Sequence, residues 1–114
     1  MKEKKHKLSK IENMWLFAMF DLPVTNNEAR REYSHFRKLL LSEGFTMLQF
    51  SVYARFCGSR ESGNVFFKHI KDQLPPEGQV RLLTVTDKQF GEMAVFYGTS
   101  RKKAEDQPEQ LLLF

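Results

Sequence analysis

The carboxylate that ends the segment MWLFAMFD, residues 14–21, is the side chain with the clearest chemical potential. Seven uncharged residues precede Asp21, and ionised carboxylates are rarely buried unless a partner pairs with them or they coordinate a metal. Asp21 therefore either begins a turn by bonding nearby backbone amides or binds Mg²⁺, which takes one or two protein carboxylates and keeps several waters. One aspartate is a poor magnesium site, whereas a homodimer that joined two copies of Asp21 would supply a pair.

Other catalytic and metal-binding patterns are absent from the sequence. His6, His35 and His69 lack metal-ligand spacing, which argues against zinc, and there is no glycine-rich phosphate loop. Cys57 is the only cysteine, so no internal disulfide can form, and a reducing cytoplasm is the expected location. No apolar run approaches the roughly 20 residues that span a bilayer, so no membrane partner is expected.

The net charge of +4 comes from the start of the chain. Residues 1–10 contain five lysines and one glutamate, a net of +4, while the remainder contains 13 basic and 13 acidic side chains. A basic surface on the folded domain therefore requires clustering. Such a cluster is either a solvated face balanced by glutamates or a nucleic-acid contact surface. Its candidate residues, four on the first predicted helix and one on a later strand, are Arg30, Arg31, Arg37, Lys38 and Arg55.

Hydrophobic periodicity predicts the elements that position these residues. Residues 14–21 are apolar on both faces of a strand, as is typical of a central strand. A helix is predicted to begin at a capping box of Thr25 and Glu28 and to end at Gly44. The alternating residues that follow predict either two strands or one strand that bends near Ser51.

The second half of the chain continues the alternation of helix and strand. A second helix has its apolar residues at helical spacing, a strand follows at residues 79–87, and after a turn near Gly91 the segment MAVFYG, residues 93–98, is a short strand candidate. The apolar residues of the second helix are Val65, Phe66, Ile70 and Leu74.

This order of elements predicts an α+β fold, a ferredoxin-like βαββαβ plait with two helices on one face of an antiparallel sheet. The domain is predicted to span residues 13–97, between a basic arm at residues 1–12 and a polar linker with an apolar tail at residues 98–114. The extra short strand would cover an edge of its own sheet or of a second copy.

Three sequence features, taken in order, resemble the CRISPR-associated protein two family, the small subunit of the spacer-acquisition machinery. They are the apolar first strand ending in Asp21, the QxSV turn, and the late apolar strand at residues 80–86. The FDLP form, the helix pattern EARREYxxFRKLLLxxGF and the segment MLQFSVYAR are similar to members found beside type II CRISPR systems. The QxSV turn consists of Gln49, Ser51 and Val52.

The resemblance implies a homodimer in which the final short strand of each protomer pairs with the partner's sheet. It implies a metal-dependent nuclease in which Asp21 is catalytic and binds Mg²⁺ near the dimer axis. It also implies that the dimer bridges two dimers of a CRISPR-associated integrase and holds duplex prespacer DNA, a role for which cleavage need not be required. A free-standing endoribonuclease acting on RNA, and a ferredoxin-like RNA-binding or regulatory module unrelated to CRISPR, remain open as alternatives.

The apolar C-terminal tail is predicted to dock on a surface, because four apolar side chains follow a polar linker. The integrase subunit is one expected docking partner, through strand addition or a pocket, and the chain's own dimer is another. A third interpretation is a resemblance to the QLxLF peptide that binds the bacterial sliding clamp. The docking residues are Leu111, Leu112, Leu113 and Phe114.

Overall fold

The computed structural model describes residues 13–98 and has the predicted α+β, ferredoxin-like fold. Its strands form one antiparallel sheet in the order β2-β3-β1-β4. The basic arm and the apolar tail at residues 111–114 lie outside the described residues. The elements are β1 (Met14–Asp21), α1 (Asn27–Ser42), β2 (Thr46–Gln49), β3 (Val52–Phe56), α2 (Arg60–Lys71), β4 (Gln79–Thr86) and α3 (Asp87–Gly91).

The hydrophobic core lies between the sheet and helices α1 and α2. The interior strand β1 points alternate side chains towards the helices, where Phe20 packs edge-on against Phe36 with ring centroids 5.2 Å apart. Burial of each such side chain contributes roughly 1.5–3 kcal/mol. The best-buried members of this layer are Leu16, Ala18, Leu40, Tyr53 and Ile70.

The alternating segment forms two strands joined by a two-residue turn, which confirms the first of the two predicted alternatives. Gln49 ends β2, Val52 begins β3, and Phe50 and Ser51 form the turn. Ser51 has φ 64°, a left-handed conformation that glycine and asparagine adopt more readily. The carbonyl of Ser51 accepts a hydrogen bond from the Phe20 amide at 3.1 Å, which fastens the turn to β1.

The first helix starts one residue later than the predicted capping box. Its N-cap is Asn26, whose side chain accepts a hydrogen bond from the Ala29 amide at 2.8 Å, so the assignment of a box to Thr25 and Glu28 is wrong. The predicted end of the helix is confirmed, because Gly44 has φ 89° directly after the cap residue.

The second helix buries fewer apolar residues than its spacing predicts. Ile70 is fully buried and Phe66 packs against the core, but Val65 and Leu74 are about half exposed. The helix ends at Lys71, before Leu74 could complete the inward stripe.

The region after β4 differs from the prediction. Asp87–Gly91 forms the short helix α3, which begins with a capping box between Thr86 and Gln89, where a turn was expected. Residues 93–98 form no strand in the single chain and are exposed. Strand exchange between two copies therefore stays a prediction. Within residues 13–98, no helix is long and apolar enough to cross a membrane.

Candidate functional site

Asp21 lies at the C-terminal end of β1, where it is exposed and pairs with Gln79 of β4. Because alternate residues of a strand share a face, Asp21 lies on the face that carries Met19 and its cross-strand partner Arg81, away from α1 and α2. With Phe20, these residues line an open cavity of about 300 Å³. The carboxylate is therefore accessible to a cation or to a phosphate-bound metal.

Gly78 holds the end of β1 against the start of β4. Its φ is +93°, and a Cβ atom at this position would lie 2.6 Å from the Asp21 carbonyl oxygen and 2.7 Å from Leu22 Cδ2. Both distances are shorter than any ordinary contact of a Cβ atom. Only glycine allows the two backbones to approach this closely, so Gly78 fixes the backbone that carries the Asp21 carboxylate.

The sheet face opposite α1 and α2 is apolar, and we call it the open face. Leu83 is 50% exposed and Phe56 is 42% exposed. The helix α3 covers one end of this face, where Phe90 stacks on Trp15 with ring centroids 3.8 Å apart. The open face consists of Trp15, Phe17, Met19, Val52, Ala54, Phe56, Leu83 and Val85.

The described residues of a single chain do not present a complete metal site. Within residues 13–98 there is no group of three or more His, Cys, Asp or Glu side chains that could hold a metal. Arg81, which lines the same cavity as Asp21, donates a hydrogen bond to Gln79 Oε1 at 3.2 Å. Mg²⁺ accepts one or two carboxylates and otherwise water. Asp21 fits that requirement if a second copy brings its own Asp21 to the same ion.

Arg81, Gln79 and Gly78 were not identified from the sequence as site residues. They belong to β4 and the turn before it, and Asp21 meets them through the register between β1 and β4. The only sequence signal was the late apolar strand itself, which indicates a strand but not its neighbour or its register.

The predicted basic residues of α1 are all exposed, but they differ in their contacts. Arg30 donates to the Val24 carbonyl at 3.0 Å and to Asn27 Oδ1, so its guanidinium is tied to the loop before the helix. Arg31, Arg37 and Lys38 form no ion pair with the described part of the chain. These three side chains are available for phosphate contacts.

Arg55 is placed differently from the basic residues of α1. Its Nε donates to the Glu43 carbonyl at 2.8 Å, its Nη1 donates to the Phe56 carbonyl, and its guanidinium lies 3.8 Å from the Phe66 ring centroid. These contacts join β3 to α1 and α2. The structure therefore engages Arg55 within the fold and does not group it with the exposed arginines.

The single cysteine is buried beside Arg55. Burial raises the pKa of the Cys57 thiol, and the smaller opposing effects of the Arg55 charge and of a backbone hydrogen bond from Leu16 do not cancel the increase. The thiol donates weakly to the Arg55 carbonyl at 3.5 Å. A protonated, enclosed thiol is a poor nucleophile.

Known proteins match this chain over most of its length. A family model described as CRISPR associated protein Cas2 matches residues 14–93. A protein of Parvibaculum lavamentivorans named CRISPR-associated endoribonuclease Cas2 is 48% identical over 101 residues, which cover 89% of this chain and 100% of that protein. Proteins of the same name from Flavobacterium psychrophilum and Streptococcus mutans are 43% and 42% identical over 108 and 85 residues. These matches cover 95% and 75% of this chain, and 94% and 78% of the two relatives.

Proposed function

The chain belongs to the Cas2 family of CRISPR-associated proteins, and from this premise we propose that it acts as a homodimeric subunit in CRISPR spacer acquisition. The dimer would bridge two dimers of the integrase subunit and hold duplex prespacer DNA on the exposed arginines and lysine of α1. Family membership removes the alternative of a ferredoxin-like module unrelated to CRISPR. The observation that carries the proposal is the open face, which gives the chain a surface for a second copy.

The open face supports dimerisation because it exposes apolar side chains of neighbouring strands. Leu83 and Phe56 are each about half exposed, so covering both would contribute about 1 kcal/mol or more for each side chain. Large contiguous apolar surfaces are typical of protein interfaces. In a dimer with two-fold symmetry, the same surface of each copy forms the interface. A two-fold axis that passes near the Asp21 end of β1 would place the Asp21 carboxylates of the two copies close together.

Sizing by light scattering tests the dimer directly. We expect the full chain to be a dimer and Leu83→Arg to be a monomer, since a charge would be buried without a partner. Leu74→Arg is the matched control, because Leu74 is 46% exposed but lies outside the open face. A dimer that survives Leu83→Arg would contradict this interface.

The bridging role is tested with purified integrase subunit, with and without duplex DNA. The proposal predicts a complex that duplex DNA stabilises and that Leu83→Arg weakens, because a monomer can hold only one integrase dimer. Absence of any complex across a range of salt concentrations would contradict bridging and would leave cleavage as the remaining candidate function.

The second candidate function is metal-dependent cleavage of a phosphodiester bond in RNA or DNA. Asp21 favours it, because an exposed carboxylate at the end of a rigid strand is suited to binding a divalent cation, and the named relatives are called endoribonucleases. In this proposal the two Asp21 carboxylates of the dimer hold Mg²⁺. When bound, Mg²⁺ would offset the charge that develops on the scissile phosphate and would favour deprotonation of the attacking water.

Cleavage of labelled RNA and DNA with and without Mg²⁺ tests the role of Asp21. Since a metal ion contributes several kcal/mol to such reactions, Asp21→Asn should reduce the rate at least about 100-fold and leave the dimer intact. Asp72→Asn is the matched control, because Asp72 is an exposed carboxylate at the end of α2. Equal cleavage by wild type and Asp21→Asn would show that the activity arises elsewhere.

A further inference from the structure

The turn between β2 and β3 presents an aromatic ring to solvent. Phe50 is 64% exposed, and its ring stacks against Tyr33 of α1 with centroids 6.3 Å apart and planes 24° apart. Tyr33 also contacts the turn through its hydroxyl, which lies 3.4 Å from Ser51 Oγ. Phe50 therefore rests on a supporting ring while most of its own surface stays accessible.

A strained turn backbone sets the position of the Phe50 ring. Ser51 adopts the left-handed conformation, which costs a non-glycine residue free energy and persists where surrounding contacts impose it. The Ser51 carbonyl accepts a hydrogen bond from the amide of Phe20, and Phe20 directly precedes Asp21. The turn that carries Phe50 is thus fixed beside the strand end that carries the candidate carboxylate.

Positive charge flanks the aromatic pair along α1. Arg30 precedes Tyr33 by three residues and Arg37 follows it by four, so both lie on the same side of the helix as Tyr33. Arg37 is exposed and forms no ion pair with the described residues. An exposed aromatic ring with flanking arginines is the combination that binds single strands, in which bases stack on rings while cations contact the backbone.

We propose that Phe50, supported by Tyr33, is a stacking platform for an unpaired base of a nucleic-acid strand, with Arg37 contacting an adjoining phosphate and Arg30, which already donates to the Val24 carbonyl, adding positive charge nearby. The inference rests on the nucleic-acid function proposed above, and it specifies that a single-stranded segment is held at the Asp21 end of the sheet. Base pairs inside a duplex are covered by their neighbours, so only an unpaired or terminal base can stack on Phe50.

Fluorescence anisotropy with the full chain, in EDTA to prevent cleavage, tests the platform. Three labelled probes are compared: a single strand of about 15 nucleotides, an abasic strand of equal length, and a duplex. Phe50→Ala should weaken binding of the base-containing strand about 5- to 100-fold, leave binding of the abasic strand unchanged, and leave binding of the duplex, which exposes only its two terminal pairs, nearly unchanged. Phe50→Trp should retain affinity, because indole offers a ring of at least equal area.

Phe67→Ala is the matched control, since Phe67 is an exposed phenylalanine on α2, and it should bind all three probes like wild type. Equal binding of the base-containing strand by wild type and Phe50→Ala would overturn the inference, as would an equal loss on the abasic strand. If wild type binds the duplex but no single strand, the inference about Phe50 is overturned and the proposed nucleic-acid function is not. Wild type that binds none of the probes would overturn the proposed nucleic-acid function as well.

Discussion

Replacement of Gly78 by alanine tests whether close backbone packing holds Asp21 in position. A left-handed conformation costs alanine about 1–2 kcal/mol. The new methyl group would also lie 2.6 Å from the Asp21 carbonyl oxygen, and overpacking of this kind costs about 1–3 kcal/mol. We therefore expect Gly78→Ala to lower the free energy of unfolding by about 3 kcal/mol, and to reduce Mg²⁺-dependent cleavage because the end of β1 must move.

Substitutions at two other glycines separate the conformational cost of Gly78→Ala from the cost of steric overlap. Gly58 has φ +73°, and no atom lies within 4 Å of the point where a Cβ would sit, so Gly58→Ala carries the conformational cost of about 1 kcal/mol without the overlap. Gly91 has neither a positive φ nor a close neighbour, so Gly91→Ala should be neutral or slightly stabilising. Urea denaturation at one protein concentration measures all three. Equal losses for Gly78→Ala and Gly58→Ala would refute the argument that Gly78 fixes Asp21.

Two further predictions concern charge and the thiol. Replacing Arg31 and Arg37 by glutamine should weaken duplex binding at all sequences and reduce the slope of log K against log salt by about 0.9 per phosphate contact. Anisotropy across a salt titration measures this, and Lys68→Gln with Lys71→Gln on α2 should leave the slope unchanged. Because burial raises the pKa of Cys57, its thiol should react with a disulfide reagent far more slowly than free cysteine at neutral pH, and faster as pH rises. A rapid reaction in the folded protein, equal to that in urea, would contradict this.

Strong local patterns were enough to predict most of the fold. Seven uncharged residues in a row indicated β1, and its predicted bounds at residues 14–21 match the strand in the structure. The start of α1 was misplaced because Thr25 and Asn26 both carry a side-chain acceptor suitable for an N-cap. Which of them caps the helix depends on backbone geometry, and Asn26 is the residue that reaches the Ala29 amide.

The candidate site was only partly predictable, because most of it is assembled by sheet register. Asp21 could be identified from its place after an apolar run, but Gly78 and Arg81 meet it only once β4 pairs with β1. Arg55 shows the opposite difficulty. Its charge suggested a phosphate contact, whereas its guanidinium donates to the Glu43 carbonyl and lies over Phe66. The sequence gives the charge of a side chain, but only the fold determines which groups that side chain contacts.

The helix α3 restricts where a second copy can pack on the open face. Phe90 covers Trp15, so the area left for a partner contains the exposed side chains of Phe56 and Leu83 and continues past Met19 to Asp21. In the proposed dimer, the metal site and the interface are therefore one structure. The two substitutions should therefore have different effects. Asp21→Asn should abolish cleavage and preserve the dimer. Leu83→Arg should abolish both cleavage and the dimer, although the Leu83 side chain cannot bind a metal. Full cleavage by a Leu83→Arg monomer would mean that a single carboxylate is sufficient.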